Sequence, residues 1–160
     1  MKILAFDQAS AVTGWALFVD GKLERSGKIR VTAIKDVRER HKQMDIRTVN
    51  LLKEHAPDFV VIEDMYLGKN VASLKTVSQS RGLIMGYCHY HDIDIDLMMP
   101  TMWRKLLKFT QGKDMTRAAL KKQAQDYVQQ HFDLKATQDE ADAICIGYAA
   151  VCKYERSFSQ

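Results

Sequence analysis

The sequence predicts an α/β fold built on one five-stranded mixed sheet, a three-strand antiparallel meander plus two parallel strands, flanked by helices. Three observations lead there. Three short apolar or alternating runs open the chain, with Asp20-Gly21 between the second and third. Later apolar runs alternate with helical periodicity. Two runs, ILAF from Ile3 and FVVI from Phe59, are apolar without alternation, as in strands buried on both faces.

The elements follow in order. Lys2–Phe6 is the first strand, Thr13–Val19 the second and Leu23–Arg30 the third. Asp-Gly is a two-residue hairpin signal because both residues tolerate positive φ. Ile34, Val37, His41, Met44, Thr48 and Leu51 recur at steps of three and four, which predicts a helix from about Ile34 that ends before Pro57. Phe59–Ile62 is the fourth strand. A helix over roughly 71–91 follows, with Ser78, Gly82 and Gly86 on one face of little side chain. That face suits close helix approach or packing on the sheet. Ile93–Met98 is the fifth strand, broken by Pro100. Two basic helical stretches, about 101–109 and 115–131, precede a last helix over about 138–154. Strands interleaved with helices imply one layered domain over residues 1–160, with the first and fourth strands as the central, adjacent pair.

Bulk composition narrows the class. Hydrophobic residues make up 46% and charged residues 28%, which suits a soluble globular domain. No apolar run nears the roughly 18 residues a membrane span needs, and the N-terminus lacks the apolar core of a signal peptide. Three cysteines without a C-x-x-C pair point to free thiols in a reducing cytoplasm. The net charge of +4 is mild, but Thr101–Lys122 carries Arg104, Lys105, Lys108, Lys113, Arg117, Lys121 and Lys122 against Asp114 alone. A local excess of this size is the footprint of a phosphate-rich partner or a solvated helix face.

The acids carry the chemistry. Asp7 closes ILAFD and Glu63 closes FVVIE. If these strands are parallel neighbours, both carboxylates sit at the carboxyl edge of the sheet, where open α/β sheets bind ligands. In QDEADAICIGYAA, Asp139 and Asp142 are three apart and share a helix face. The remainder of that helix is apolar and small, so it packs on the sheet and brings both aspartates towards Asp7 and Glu63. Four converging carboxylates repel unless a cation relieves them. All-oxygen ligation suits Mg²⁺, with Mn²⁺ able to substitute, and two such ions can drive phosphodiester hydrolysis. Asp64 and Glu140 read as structural or solvent-facing neighbours. Trp15 and Trp103 fit either the core or a DNA-facing surface.

These motifs resemble the RuvC family of Holliday junction resolvases, of RNase H-like fold, over nearly the whole chain. AFDQASAVTGWALF resembles the family's opening strand, acid and Thr-Gly turn; VVIEDMY resembles its second motif. NVASLKTVSQSRGLIMGY is similar to its central helix, and DEADAICIGYA to its terminal D-x-x-D helix. The resemblance implies a metal-dependent endonuclease acting as a homodimer on four-way DNA, without a nucleotide cofactor. It places the catalytic, metal-holding carboxylates on Asp7, Glu63, Asp139 and Asp142. It puts a junction-probing aromatic on Tyr66, and basic residues on Lys105 or Arg104 and on Arg117. Lys108, Lys113 and Lys121 extend that DNA-binding set. Gln8-Ala9 stands where bacterial members usually carry Pro-Gly, so the turn after Asp7 is not the glycine turn; the short, divergent chain is similar to phage-encoded relatives. A broader nuclease acting on forks, flaps or hybrids is one alternative. An actin-like kinase or ATPase is another, although 160 residues hold only one of its two lobes.

Overall fold

The computed structural model describes residues 1–64, 71–112 and 115–158. Five strands form one sheet: β1 (Lys2–Asp7), β2 (Val12–Val19), β3 (Lys22–Arg30), β4 (Phe59–Glu63) and β5 (Asp94–Met98). Their spatial order is β3-β2-β1-β4-β5. The first three pair antiparallel, while β4 runs parallel to both β1 and β5. The expected mixed sheet is therefore present, with β1 and β4 adjacent. Asp20 and Gly21 both take positive φ in the β2–β3 hairpin, as the sequence predicts.

Strand pleating divides the core into two layers. Ile3, Ala5, Phe59 and Val61 face one side with Ala16 and Phe18. Leu4, Phe6, Val60 and Ile62 face the other with Trp15 and Leu17. This two-sided burial explains why β1 and β4 read as unbroken apolar runs. Helix α5 (Gln138–Phe158) covers the first face, with α3 (Pro100–Leu106) and α4 (Arg117–Phe132) packed against it. Gly147 lets α5 lie close to the sheet: a Cβ there would sit 2.6 Å from the Phe18 ring and 3.0 Å from Ala5 Cβ. Helices α1 (Val37–His55) and α2 (Val71–Tyr90) cover the second face.

Three details differ from expectation. Helix α1 begins at Val37, three residues after Ile34, because Asp36 caps it by accepting from the Glu39 N–H at 2.8 Å. Ile34 still packs against the core, so it belongs to the apolar pattern without being helical. Thr13-Gly14 lies within β2 and is not a turn. The Ser78/Gly82/Gly86 face does not pack on the sheet: all three residues are exposed, and a Cβ on either glycine would meet nothing within 4 Å. Among the described residues no helix is long and apolar enough to cross a membrane, and the three cysteines are free thiols.

Candidate active site

Asp7 and Glu63 are the last residues of neighbouring parallel strands, one step beyond the Phe6–Ile62 pair. Alternation along each strand turns both carboxylates to the face that α5 covers. Asp64, one residue further, turns to the opposite face. There its carboxylate takes a 2.8 Å ion pair from Arg81 of α2, whose other Nη donates to the Glu63 carbonyl at 3.0 Å. Asp64 is thus structural as expected, but a partly buried ion pair holds it instead of open solvent.

The first turn of α5 completes the arrangement. Gly14 pairs with Asp7 across β1–β2. A Cβ on Gly14 would fall 1.9 Å from the Asp139 carbonyl oxygen. Only glycine allows α5 to rest its N-terminal turn on β2 at this point, directly beside Asp7. Glu140 is occupied elsewhere: it accepts from Ser26 Oγ at 2.8 Å and reaches back to the Thr137 N–H at 3.4 Å. It fastens the start of α5 to β3, a structural role. Asp142 lies one turn on and is buried.

Electrostatics show that these acids share one site. Burial and the charges of Glu63, Asp142 and Asp139 hold Asp7 well above the usual carboxylate range, against a smaller pull from Lys121. Burial also raises Glu63, opposed by the Trp103 hydrogen bond and by Arg104, Arg117 and Lys121. Asp142 is pushed up to about 7 by burial and Glu63, with Lys121 and Arg104 opposing. Burial is the first cause in each case, and neighbouring carboxylates add to it at Asp7 and Asp142, which is the pattern of acids crowded into one cleft.

The donor set fits a hard divalent cation, because every group is a carboxylate oxygen whose repulsion a cation would relieve. Among the described residues, no three His, Cys, Asp or Glu side chains are already gathered closely enough to hold an ion as they stand. Coulombic coupling reaches further than coordination distance, so the two observations agree. The acids converge but do not close on a point, and Glu63 spends one oxygen on Trp103.

Arg104, Arg117 and Lys121 act on the acids. Lys105 and Lys108 are exposed on the outer surface of the same segment. Lys121 also donates to Gln138 Oε1 at 3.3 Å, at the start of α5. Tyr66 and Lys113 lie outside the described residues.

Trp103, which the sequence leaves between core and surface, belongs to the site. It is fully buried, its indole N–H donates to Glu63 Oε1 at 2.9 Å, and the Arg104 guanidinium lies 4.7 Å from its ring centroid. Gly14 and Arg81 are likewise site-building residues. Gly14 meets Asp139 from the far end of the chain, and Arg81 meets Asp64 across 17 residues, so local pattern carries little of their role.

Comparison with known proteins resolves the family. The family described as Crossover junction endodeoxyribonuclease RuvC matches residues 3–153. The chain belongs to the RuvC family. RuvC of Syntrophomonas wolfei subsp. wolfei is 30% identical over 170 residues, covering 98% of this chain and 92% of that protein. RuvC of Photobacterium profundum is 31% identical, covering 94% and 84%. Membership in RuvC makes the chain an endodeoxyribonuclease. Among solved structures, T. thermophilus RuvC in complex with Holliday junction substrate superposes with a TM-score of 0.77 at 16% identity, covering 98% of this chain and 96% of that one. The Fowlpox virus resolvase bound to Holliday junction DNA gives 0.67 at 19% identity, with both chains fully covered. At such identities these likenesses establish the RNase H-like fold.

Proposed function

We propose that this RuvC-family protein resolves four-way and related branched DNA by paired hydrolysis of phosphodiesters, with Asp7, Glu63, Asp139 and Asp142 as the acid set. The observation that carries this is the gathering of half-buried Asp7 and Glu63 with buried Asp142 at one edge of the sheet, their carboxyls raised first by burial, beside Arg104, Arg117 and Lys121. Converging acids that burial makes hard to ionise, rimmed by cations, match a cleft that takes both a metal and a phosphate. Mg²⁺, or Mn²⁺ in its stead, is the proposed cofactor at about two ions per site; bound there it would supply positive charge against the developing phosphate charge and acidify the attacking water.

The chain's own residues do the rest. Arg104, Arg117 and Lys121 neutralise and orient the backbone phosphate from the α3–α4 side. Trp103 and Arg81 fix Glu63 through its carboxylate and its carbonyl. Lys105 and Lys108, exposed further out, extend the cationic track. The roles of Tyr66 at the branch point and of Lys113 rest on the sequence. A homodimer is supported by the uncovered Ser78/Gly82/Gly86 stripe of α2, which a second copy can approach without side-chain obstruction. Symmetric cutting of opposed strands needs such a pair of sites. The layered fold over residues 1–160 serves as one nuclease domain working in the cytoplasm.

The divergent sequence favours a phage-type member with relaxed junction selectivity, and Gln8-Ala9 favours a phosphate approach unlike that of a glycine turn. Gln8 follows Asp7 directly, and its side-chain oxygen is buried without a hydrogen-bond partner among the described residues. One assay tests both readings: cleavage of four-way, three-way, forked and linear DNA with Mg²⁺ and with Mn²⁺. Paired cuts in the four-way substrate are expected. Equal cutting of linear duplex would establish the broader nuclease, and no cutting with either ion would refute the metal-site reading.

A further inference from the structure

A second cationic region flanks the acids on the side away from α3 and α4. From Lys22 to Arg47 the chain carries nine basic residues against four acids. The register of the sheet brings part of this region to the site. Lys28 pairs with Gly14, and Gly14 with Asp7, so Lys28 stands in the same row as Asp7 two strands away. Arg30 pairs with Val12, two residues further out at the same end of the sheet. Strand spacing puts the Arg30 backbone about 12 Å from that of Asp7. Val31 N–H then donates to the Ala11 carbonyl at 3.0 Å, holding the exit from β3 at this end. The chain continues through Lys35 into the first turn of α1 with Arg38.

These four cations are unspent. Lys28, Arg30, Lys35 and Arg38 are all exposed, and none has a side-chain hydrogen bond or ion pair among the described residues. Neighbouring charges differ: Arg25 pairs with Glu54, Lys42 with Glu39, and Arg47 donates to the Arg30 carbonyl. Asp36 within the group is engaged as the α1 cap. Exposed cations without partners bind phosphate with no internal bond to break.

Their position selects the form of the DNA. Helix α2 packs against β5, whereas Lys28 and Arg30 lie on β3 at the opposite edge of the sheet, with Asp7 and Glu63 between them; Lys35 and Arg38 continue from β3 into α1, which packs on both β3 and α2. If two copies meet through α2, a duplex arm leaving the branch point crosses the acids first and this group next. About 12 Å corresponds to roughly four base pairs along B-form DNA.

We infer that Lys28, Arg30, Lys35 and Arg38 form a duplex-arm binding site, which grips the phosphate backbone of one arm from about four base pairs beyond the cleavage point. The inference rests on the proposed reading of the acid site as a DNA-cleaving centre. It adds affinity without base readout, because phosphate contacts position and do not specify.

The test is salt-dependent binding of a four-way junction by the full chain and by the quadruple variant K28A/R30A/K35A/R38A. A Lys28→Gln/Arg30→Gln pair serves as a milder second variant. The slope of log affinity against log salt should flatten by about 2–4, at roughly 0.9 for each phosphate no longer neutralised. Affinity near physiological salt should fall at least about 10-fold. Neutral methylphosphonates placed about four to eight nucleotides from the cut should weaken the unaltered protein and leave the quadruple variant unaffected. An unchanged slope with cleavage intact would overturn the arm site alone. Absence of cleavage by the unaltered protein, with the slope difference present, would overturn the proposed reaction and leave the arm site standing.

Discussion

The indole N–H of Trp103, wholly enclosed by the core, donates to Glu63 Oε1 at 2.9 Å. A buried carboxylate without a donor is costly to ionise, and this bond is the foremost influence keeping Glu63 from rising further. Trp103→Phe keeps an aromatic ring in the cavity and removes the donor. The Glu63 carboxyl should then titrate higher, and Mg²⁺ affinity should fall about 10-fold or more. Stability should drop by about 1–3 kcal/mol, from the missing bond and the smaller ring. Calorimetric Mg²⁺ titration alongside urea unfolding separates the two effects. Unchanged ion affinity would reduce Trp103 to packing.

Three glycines should respond in opposite ways. Gly14→Ala drives a methyl into the Asp139 carbonyl, where 1.9 Å is available, and backbone on both sides leaves little room to yield. The expected outcome is about 1–3 kcal/mol of destabilisation with cleavage largely abolished, because the α5 turn moves away from Asp7. Gly82→Ala and Gly86→Ala meet only open space and gain up to about 1 kcal/mol each in helix propensity within one copy. Sedimentation should show the same two changes weakening self-association. Unaltered association would remove the α2 stripe from the dimer.

The acids of this site were legible because backbone alternation and strand ends are local properties. ILAFD and FVVIE announce β1 and β4, and pleating alone separates Glu63 from Asp64. Asp139 and Asp142 follow from helical spacing and the small, apolar remainder of α5. What stayed hidden depends on packing between distant segments. Whether Arg104 or Lys105 turns inward depends on the phase of the seven-residue α3, and its short pattern cannot fix that. Trp103 is buried because α3 folds back under α5, so its sequence neighbours say nothing of Glu63. Gly14 resembles a turn residue until α5 is seen resting on it. The start of α1 was different: Asp36 three residues before Glu39 is a capping signal that could have been read.

Asp7→Asn separates binding from chemistry. Removing one negative charge beside Lys121 cannot weaken attraction to phosphate, so junction affinity should stay equal or improve slightly. Cleavage with Mg²⁺ should fall below about 10⁻³ of the unaltered rate if the carboxylate holds the ion. Gel-shift binding and single-turnover cleavage on the same junction provide the check. Wild-type cleavage by this variant would exclude Asp7 from the ion site.

Asp142 gives the ion-free protein a distinctive pH dependence. Its carboxyl is pushed from a reference of 3.8 up to about 7 in the fold, so the native state holds a proton that the unfolded chain releases. Stability from this group is fully present below about pH 4 and is lost progressively as pH rises to 7. Asp7, raised in the same direction, adds to the trend. Chelator-treated protein should therefore lose on the order of a few kcal/mol between about pH 5 and pH 8, counted across both groups. Asp142→Asn removes one ionisation and should flatten that slope, making the variant more stable than the parent at about pH 8. Mg²⁺ should do the same to the parent, since a cation replaces the proton as the counter-charge, and its affinity should rise with pH over that window. Urea unfolding at several pH values, with chelator and with Mg²⁺, measures all three effects. A parent whose ion-free stability climbs from about pH 5 to pH 8 would contradict the buried, mutually repelling acids.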